Sequence, residues 1–250
     1  LTFDDGLADH YTAVFPALKQ RGLSGVFFLV GAALSAPAPV LNVHKAHFLL
    51  ARLGPDRFAE EVRGAILDLS QPGRIGPAVS SERELYRYDR PDAQGMKRLL
   101  NYDLPIADAD RVLGDLFRRH VGDEAAFARA LYLAPEMTAE MAAEGMTFGF
   151  HTESHVALSR LSRQQQRAEV ERGVSVIGRL TGQQRVPFCY PYGHAQTYDR
   201  ASMAVVEEAG YSAAFSVVRA MVRFGKEHRY DLPRFDTRDL PPFSKELSVA

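Results

Sequence analysis

The chain has 250 residues, 46% of them hydrophobic and 24% charged, with a formal net charge of -1. That balance excludes a broad nucleic-acid or acidic-lipid surface, which needs concentrated positive charge, and it fits a soluble globular enzyme with one substantial core. The longest apolar stretch, Gly25 to Leu34, is too short to cross a bilayer, which takes about 20 residues, so no transmembrane helix is expected.

A strand-like lead, Leu1 to Phe3, runs into Asp4, Asp5 and Gly6. Since the sequence begins inside this motif, the natural N-terminus is expected to lie upstream, and localisation stays open. Successive strand side chains point to opposite faces, so Asp4 and Asp5 converge on one point only if the chain leaves strand geometry between them. Gly6 permits that turn. Two carboxylates forced together repel unless a cation or a shared proton offsets them, which points to a metal.

A second strand is expected at Gly25 to Val30. The block from about 36 to 135 then carries helix-like runs at Val43 to Leu53, Asp56 to Leu69 and Ala107 to His120. With Pro37 and Pro39 at its boundary, it reads as a mainly helical insertion in one domain spanning 1–250. Within it, His44, Lys45, His47, Tyr86, Tyr88, Lys97 and Asn101 form a polar and aromatic set whose structural or surface role outranks substrate binding. Arg87 to Arg90 and Arg118-Arg119-His120 read as solvated helix faces.

After the block, Thr147 to Phe150 is a third strand and leads into His151-Thr152-Glu153-Ser154-His155. The two histidines are spaced i, i+4, which on a helical turn puts both imidazoles on one face toward a common zinc-like ion. One helix is expected over Leu161 to Leu180, with a Ser-x-x-Gln start at Ser162. Strands follow at Pro187 to Tyr190 and Ala213 to Val217, separated by a helix from Arg200 to Gly210 with a glycine stop. The lone Cys189 excludes an intrachain disulfide and reads as a small core residue. Strands alternating with helices argue for an α/β fold with a largely parallel sheet.

Thr2-Phe3-Asp4-Asp5-Gly6, then His151-Thr152-x-Ser154-His155, then Tyr190-Pro191-Tyr192-Gly193 resemble, in residues and in order, the polysaccharide deacetylases of the NodB-homology type, a carbohydrate esterase family 4-like group. Leu18 to Gly31 and Met137 to Gly145 resemble the same family. The resemblance covers 1 to about 35 and about 134 to 240. It implies a distorted (β/α) barrel whose site collects at the carboxyl ends of the strands. It also implies a divalent metal ion, zinc (Zn2+) first with cobalt (Co2+) as the alternative, ligated by Asp5, His151 and His155. Asp4 is then the general base, a backbone N–H of Tyr192 stabilises the oxyanion, and Pro191 and Gly193 shape the loop against the substrate.

Two departures stand out. Many family members have an arginine just before the Pro-Tyr-Gly turn, where this chain has Cys189. Arg185 offers a rival register, and Arg234 in Leu232-Pro233-Arg234-Phe235 is the residue expected to reach Asp4 instead. The late Leu-x-His motif that supplies a general acid is also missing, leaving His44, His47, His194 and His228, or a metal-bound water, as weak substitutes. The reading is a metal-dependent hydrolase that removes an N-acyl group, N-acetyl first, from an amino sugar or glycan precursor. Its alternatives are deformylation or another linear-amide cleavage at the same metal site, or a carbohydrate-binding protein with an impaired site. An insertion beside the site favours a small or chain-end sugar over the interior of a polymer.

Overall fold

A computed structural model describes residues 1–69, 91–223 and 225–243. Tyr86, Tyr88 and the Arg87 to Arg90 stretch lie outside the described residues. The chain forms two compact units, one comprising Leu1–Leu34 with Tyr132–Ala250 and the other Ser35–Leu131.

The first unit holds a five-stranded parallel sheet in the order β1 (Thr2–Phe3), β2 (Val26–Leu29), β3 (Thr147–Phe150), β4 (Phe188–Cys189) and β5 (Ala214–Phe215). An isolated parallel bridge from Phe215 to Leu232 prolongs the β5 side. Each strand neighbours its predecessor, the arrangement of an opened (β/α) barrel. Phe27, Phe28 and Leu29 are all buried, which explains a continuous apolar run where a half-solvated strand would alternate. Register places Leu29 opposite Phe150 and Phe150 opposite Phe188, so the last residues of β2 and β3 lie level with the first residue of β4.

Gly149 is needed where β3 meets its neighbours. A Cβ there would sit 2.5 Å from the Phe28 ring and 2.7 Å from the Pro187 carbonyl oxygen, and the carbonyl belongs to the main chain and cannot swing away. Gly149→Ala is therefore expected to lower unfolding free energy by about 1–3 kcal/mol, the usual cost of overpacking. Urea unfolding followed by circular dichroism checks this, and an unchanged midpoint would refute the close packing.

Leu161 to Leu180 is not one helix but two, Arg163–Val170 and Gly173–Thr181. The first starts as expected, with Ser162 and Gln165 forming a reciprocal capping box. The break has a packing cause. A Cβ at Gly173 would run into the Tyr211 hydroxyl and the Phe150 ring, so the second helix starts where its backbone lies hard against the core. The intervening Arg172 instead binds the Glu153 carboxylate and the Gly31 carbonyl, the latter at 3.0 Å.

The second unit is helical among its described residues, with helices at Asn42–Leu53, Pro55–Leu67, Pro91–Arg98, Ile106–His120 and Glu124–Leu131. Its own core centres on Leu49, Phe58, Val62, Leu113 and Leu116. Lys45 is buried in an ion pair with Glu124 at 2.7 Å, and Glu124 also accepts the Val40 N–H at 3.0 Å, which ties Lys45 to structure. No described helix is long and apolar enough to cross a membrane.

Candidate metal centre

Backbone conformation singles out one region. Among the described residues, the non-glycine positions with positive φ are Asp5 (76°), Thr152 (63°), His155 (58°) and Tyr192 (62°). Such conformations cost energy for residues bearing a Cβ and persist only where the surroundings hold them. All four lie in the segments that follow β1, β3 and β4.

After β1, positive φ at Asp5 and at Gly6 (68°) takes the chain out of strand geometry, as convergence of the two carboxylates requires. The turn is fixed from outside by the Leu133 N–H, which donates to the Gly6 carbonyl at 2.8 Å. After β3, the His151 N–H continues the ladder to the Leu29 carbonyl at 2.9 Å, and the chain then turns. The expected helical turn is absent: 151–155 is a loop, with Thr152 and His155 left-handed and the Thr152 hydroxyl oxygen accepting the His155 N–H at 3.0 Å. The imidazoles converge nonetheless, their ring centroids 5.0 Å apart.

Asp5 Oδ1 lies 3.6 Å from His151 Nε2 and 3.2 Å from His155 Nε2. One donor atom from each of the three residues falls within 4.8 Å of the others. The hydrogen-bond pattern tests whether a cation fits. His151 Nδ1 is 2.7 Å from the Cys189 carbonyl oxygen, which can only accept, so Nδ1 carries the proton and Nε2 presents its lone pair toward the Asp5 carboxylate. Burial lowers the His151 pKa despite the nearby Asp4 charge and keeps this imidazole neutral. A lone pair facing a carboxylate oxygen is the arrangement a divalent cation satisfies, and two imidazoles with one carboxylate leave a further coordination position open, as in catalytic zinc sites. For His155, burial lowers the pKa but the Asp5 charge and hydrogen bond outweigh it, so the net shift is upward.

Asp4 is held separately. Arg234 Nη1 donates to its Oδ1 at 2.9 Å and Nη2 to its Oδ2 at 2.8 Å, a bidentate fork. The guanidinium's other donors are also engaged: Nε to the Ser216 carbonyl at 2.8 Å, Nη1 to the Thr2 hydroxyl at 3.0 Å and Nη2 to Cys189 Sγ at 2.9 Å. With all five N–H groups used, Arg234 has none to offer a ligand and can only position Asp4. Burial pushes the Asp4 carboxyl up, but the Arg234 charge and hydrogen bonds more than offset it and the net shift is down. The Asp4 side chain keeps 30% of its surface exposed, so water reaches the ionised carboxylate. Arg185, the rival arginine, precedes β4 and is exposed.

Following β4, Pro191 is buried and Tyr192 sets its ring edge-on to His155, centroids 5.0 Å apart. Gly193, at φ 56°, donates no side chain where a Cβ would lie 2.7 Å from the Val217 nitrogen, and its carbonyl accepts that N–H at 2.9 Å. Cys189 serves through its carbonyl on His151, while burial raises its thiol well above the ordinary range and keeps it protonated. Of the histidines considered as proton donors, His228 accepts the Tyr230 N–H through Nδ1 at 3.3 Å, His194 follows Gly193, and His44 and His47 belong to the second unit. Sequence reasoning gave Thr2 no part beyond its motif and missed its hydroxyl as a partner of Arg234; it also missed the Ser216 and Cys189 carbonyls, since main-chain acceptors leave no residue-type signal.

Comparison with known families matches the sequence to the family described as polysaccharide deacetylase over residues 1–62 and 112–214. The match thus takes in helical stretches of the second unit as well as the strands. A search of curated proteins finds no match. Among solved structures, the Streptococcus pyogenes deacetylase PplD in complex with acetate is 14% identical with a TM-score of 0.53, over 94% of this chain and 62% of PplD. The present chain therefore spans less than two thirds of that protein. The BpsB deacetylase domain from Bordetella bronchiseptica is 16% identical with a TM-score of 0.52, over 94% of this chain and 69% of that one. At such identities the likeness is one of fold.

Proposed function

Since this chain belongs to the polysaccharide deacetylase family, we propose that it is a metal-dependent hydrolase that removes an N-acyl group, N-acetyl first, from an amino sugar of a carbohydrate substrate. The observation that carries this reading is the juxtaposition of two differently prepared carboxylates. Asp5 lies against two imidazole nitrogens, whereas its neighbour Asp4 is turned into an arginine fork. That difference supports a ligand's role for Asp5 and a general base's role for Asp4.

Asp5, His151 and His155 would hold the divalent ion, zinc first. Bound there, the ion supplies Lewis-acid activation of a water and of the amide carbonyl. Asp4 takes the proton as general base, and its lowered pKa keeps it ionised for that task at neutral pH. The main-chain N–H of Tyr192 supports the developing oxyanion; Pro191 and Gly193 fix its left-handed turn. Arg234 orients the base without touching substrate.

The test is release of acetate and formate from N-acylated sugars and oligosaccharides with zinc or cobalt supplied. Metal-dependent acetate release supports the reading; formate release alone would make the enzyme a deformylase, and release of neither acid would refute hydrolysis of these amides.

Arg234 gives a prediction with a definite sign. Arg234→Ala removes the charge that lowers the Asp4 pKa, so the acidic limb of the kcat/KM profile is expected to move to higher pH. Arg234→Lys keeps a charge but loses the fork, so the limb moves less while kcat still falls. An unshifted limb in Arg234→Ala would show that Asp4 is not the titrating base. The same coupling affects folding: because the Asp4 pKa is depressed in the folded state, its contribution to stability is present above the ordinary carboxylate pKa and is lost as pH falls through the folded value.

A further inference from the structure

The loop joining the two histidines has two strained residues, Thr152 and His155, and does not form a helix that would satisfy its own N–H groups. Its main-chain polar groups must therefore find partners elsewhere. On one side the answer is β2 and the residues after it: Gly31 N–H donates to the Thr152 carbonyl at 2.9 Å and Ala32 N–H to the Glu153 carbonyl at 2.7 Å. Those bonds satisfy acceptors only. On the other side a single carboxylate collects the donors. Glu169 Oε2 accepts the N–H of Glu153 at 3.0 Å and of Ser154 at 2.9 Å, and Glu169 Oε1 accepts the Ser154 hydroxyl at 2.6 Å.

We propose that Glu169 is a positioning residue for the metal centre: its carboxylate pins the Glu153–Ser154 main chain so that His151 and His155 are aimed together at Asp5. Resting on the proposed ligand set, the inference adds a residue from the helix Arg163–Val170 that touches neither the ion nor the substrate. The grip is directional. Glu169 holds donors while Gly31 and Ala32 hold acceptors, so the loop is fixed from both sides and cannot relax toward a conformation with negative φ at Thr152. Arg172 is not equivalent, because it binds the Glu153 side chain and not the loop main chain. Neither is charge the requirement. Gln at this position can present its amide oxygen to both N–H groups and its NH2 to the Ser154 hydroxyl, which accepts as well as donates.

The experiment uses the full chain and two variants, Glu169→Ala and Glu169→Gln, with two readouts. Zinc and cobalt affinities are measured by competition with a chromophoric chelator, and backbone hydrogen exchange at Glu153 and Ser154 is followed in the metal-free protein. Glu169→Ala is expected to weaken metal binding by about 10- to 100-fold, the usual effect of losing a supporting residue, and to speed exchange at those two amides. Glu169→Gln keeps both close to the parent. The proposal is overturned if the parent binds one equivalent and Glu169→Ala binds it equally well, if exchange at the two amides is unchanged, or if Gln behaves like Ala. A parent that binds no metal would sink the ligand assignment instead, and the exchange data would then still decide whether Glu169 holds the loop.

Discussion

Asp4→Asn is expected to reduce acetate release by about 10²- to 10⁴-fold, the contribution of a well-placed general base, while leaving one equivalent of metal bound. Asparagine keeps the shape of the side chain and one accepting oxygen for Arg234, but it cannot take a proton at neutral pH. The Arg234 guanidinium is further anchored to Ser216, Thr2 and Cys189, so its position should survive the loss of one fork contact. Asp5, the adjacent residue, meets His151 and His155, whereas the arginine fork closes on Asp4, which is why the two carboxylates should separate cleanly by experiment. Asp5→Asn should weaken metal binding, whereas Asp4→Asn should not. If Asp4→Asn retains most of the activity, the base is another group and the arginine fork is structural. If it loses the metal as well, the division of labour between the two carboxylates is wrong.

How much of this was legible in the sequence depends on whether the cause was local. The five strands follow from apolar runs bounded by turn residues, and each was visible because a buried parallel strand has no polar alternation to hide it. The Asp4-Asp5-Gly6 turn was legible through a steric argument: two neighbours on a strand cannot share a target. The form of the histidine loop was not. An i, i+4 spacing suits a helical turn, and nothing in Thr152 or His155 announces a left-handed conformation; it is imposed by Gly31, Ala32 and Glu169, which reach the loop from distant parts of the chain. Arg234 lies at the far end of the sequence from Asp4 and could be reached only by asking which arginine remained once Cys189 filled the usual position. The two-helix break at Arg172 was invisible because its cause, the Gly173 backbone against Tyr211 and Phe150, is tertiary.

His151→Ala and His155→Ala should both abolish tight metal binding, by more than the about 10- to 100-fold typical of a supporting residue, yet they should differ in the metal-free protein. His151 donates its Nδ1 proton to the buried Cys189 carbonyl, so its removal strands an acceptor and should cost about 1–3 kcal/mol at any pH. His155 Nδ1 has no hydrogen-bond partner among the described residues, and beyond its packing against His151 and Tyr192, the pH-dependent part of what His155 adds to metal-free stability comes from its protonated ring against Asp5. Its folded pKa is raised, so that contribution is fully present below the ordinary imidazole pKa and is lost as pH rises through the folded value. His155→Ala should thus lower the melting temperature of metal-free protein more in acid than in mildly alkaline buffer, while His151→Ala lowers it by a similar amount in both. The same asymmetry governs metal uptake. His151 is already neutral, but His155 must give up its proton before its Nε2 can ligate, so affinity should fall as pH drops below the raised His155 value, with protons released on binding. Calorimetric titration with zinc in buffers of different ionisation enthalpy measures that release. Binding without proton release below the raised His155 value would mean that His155 is not a ligand, and identical melting behaviour of the two alanine variants across pH would mean that the Cys189 carbonyl does not hold His151 in place.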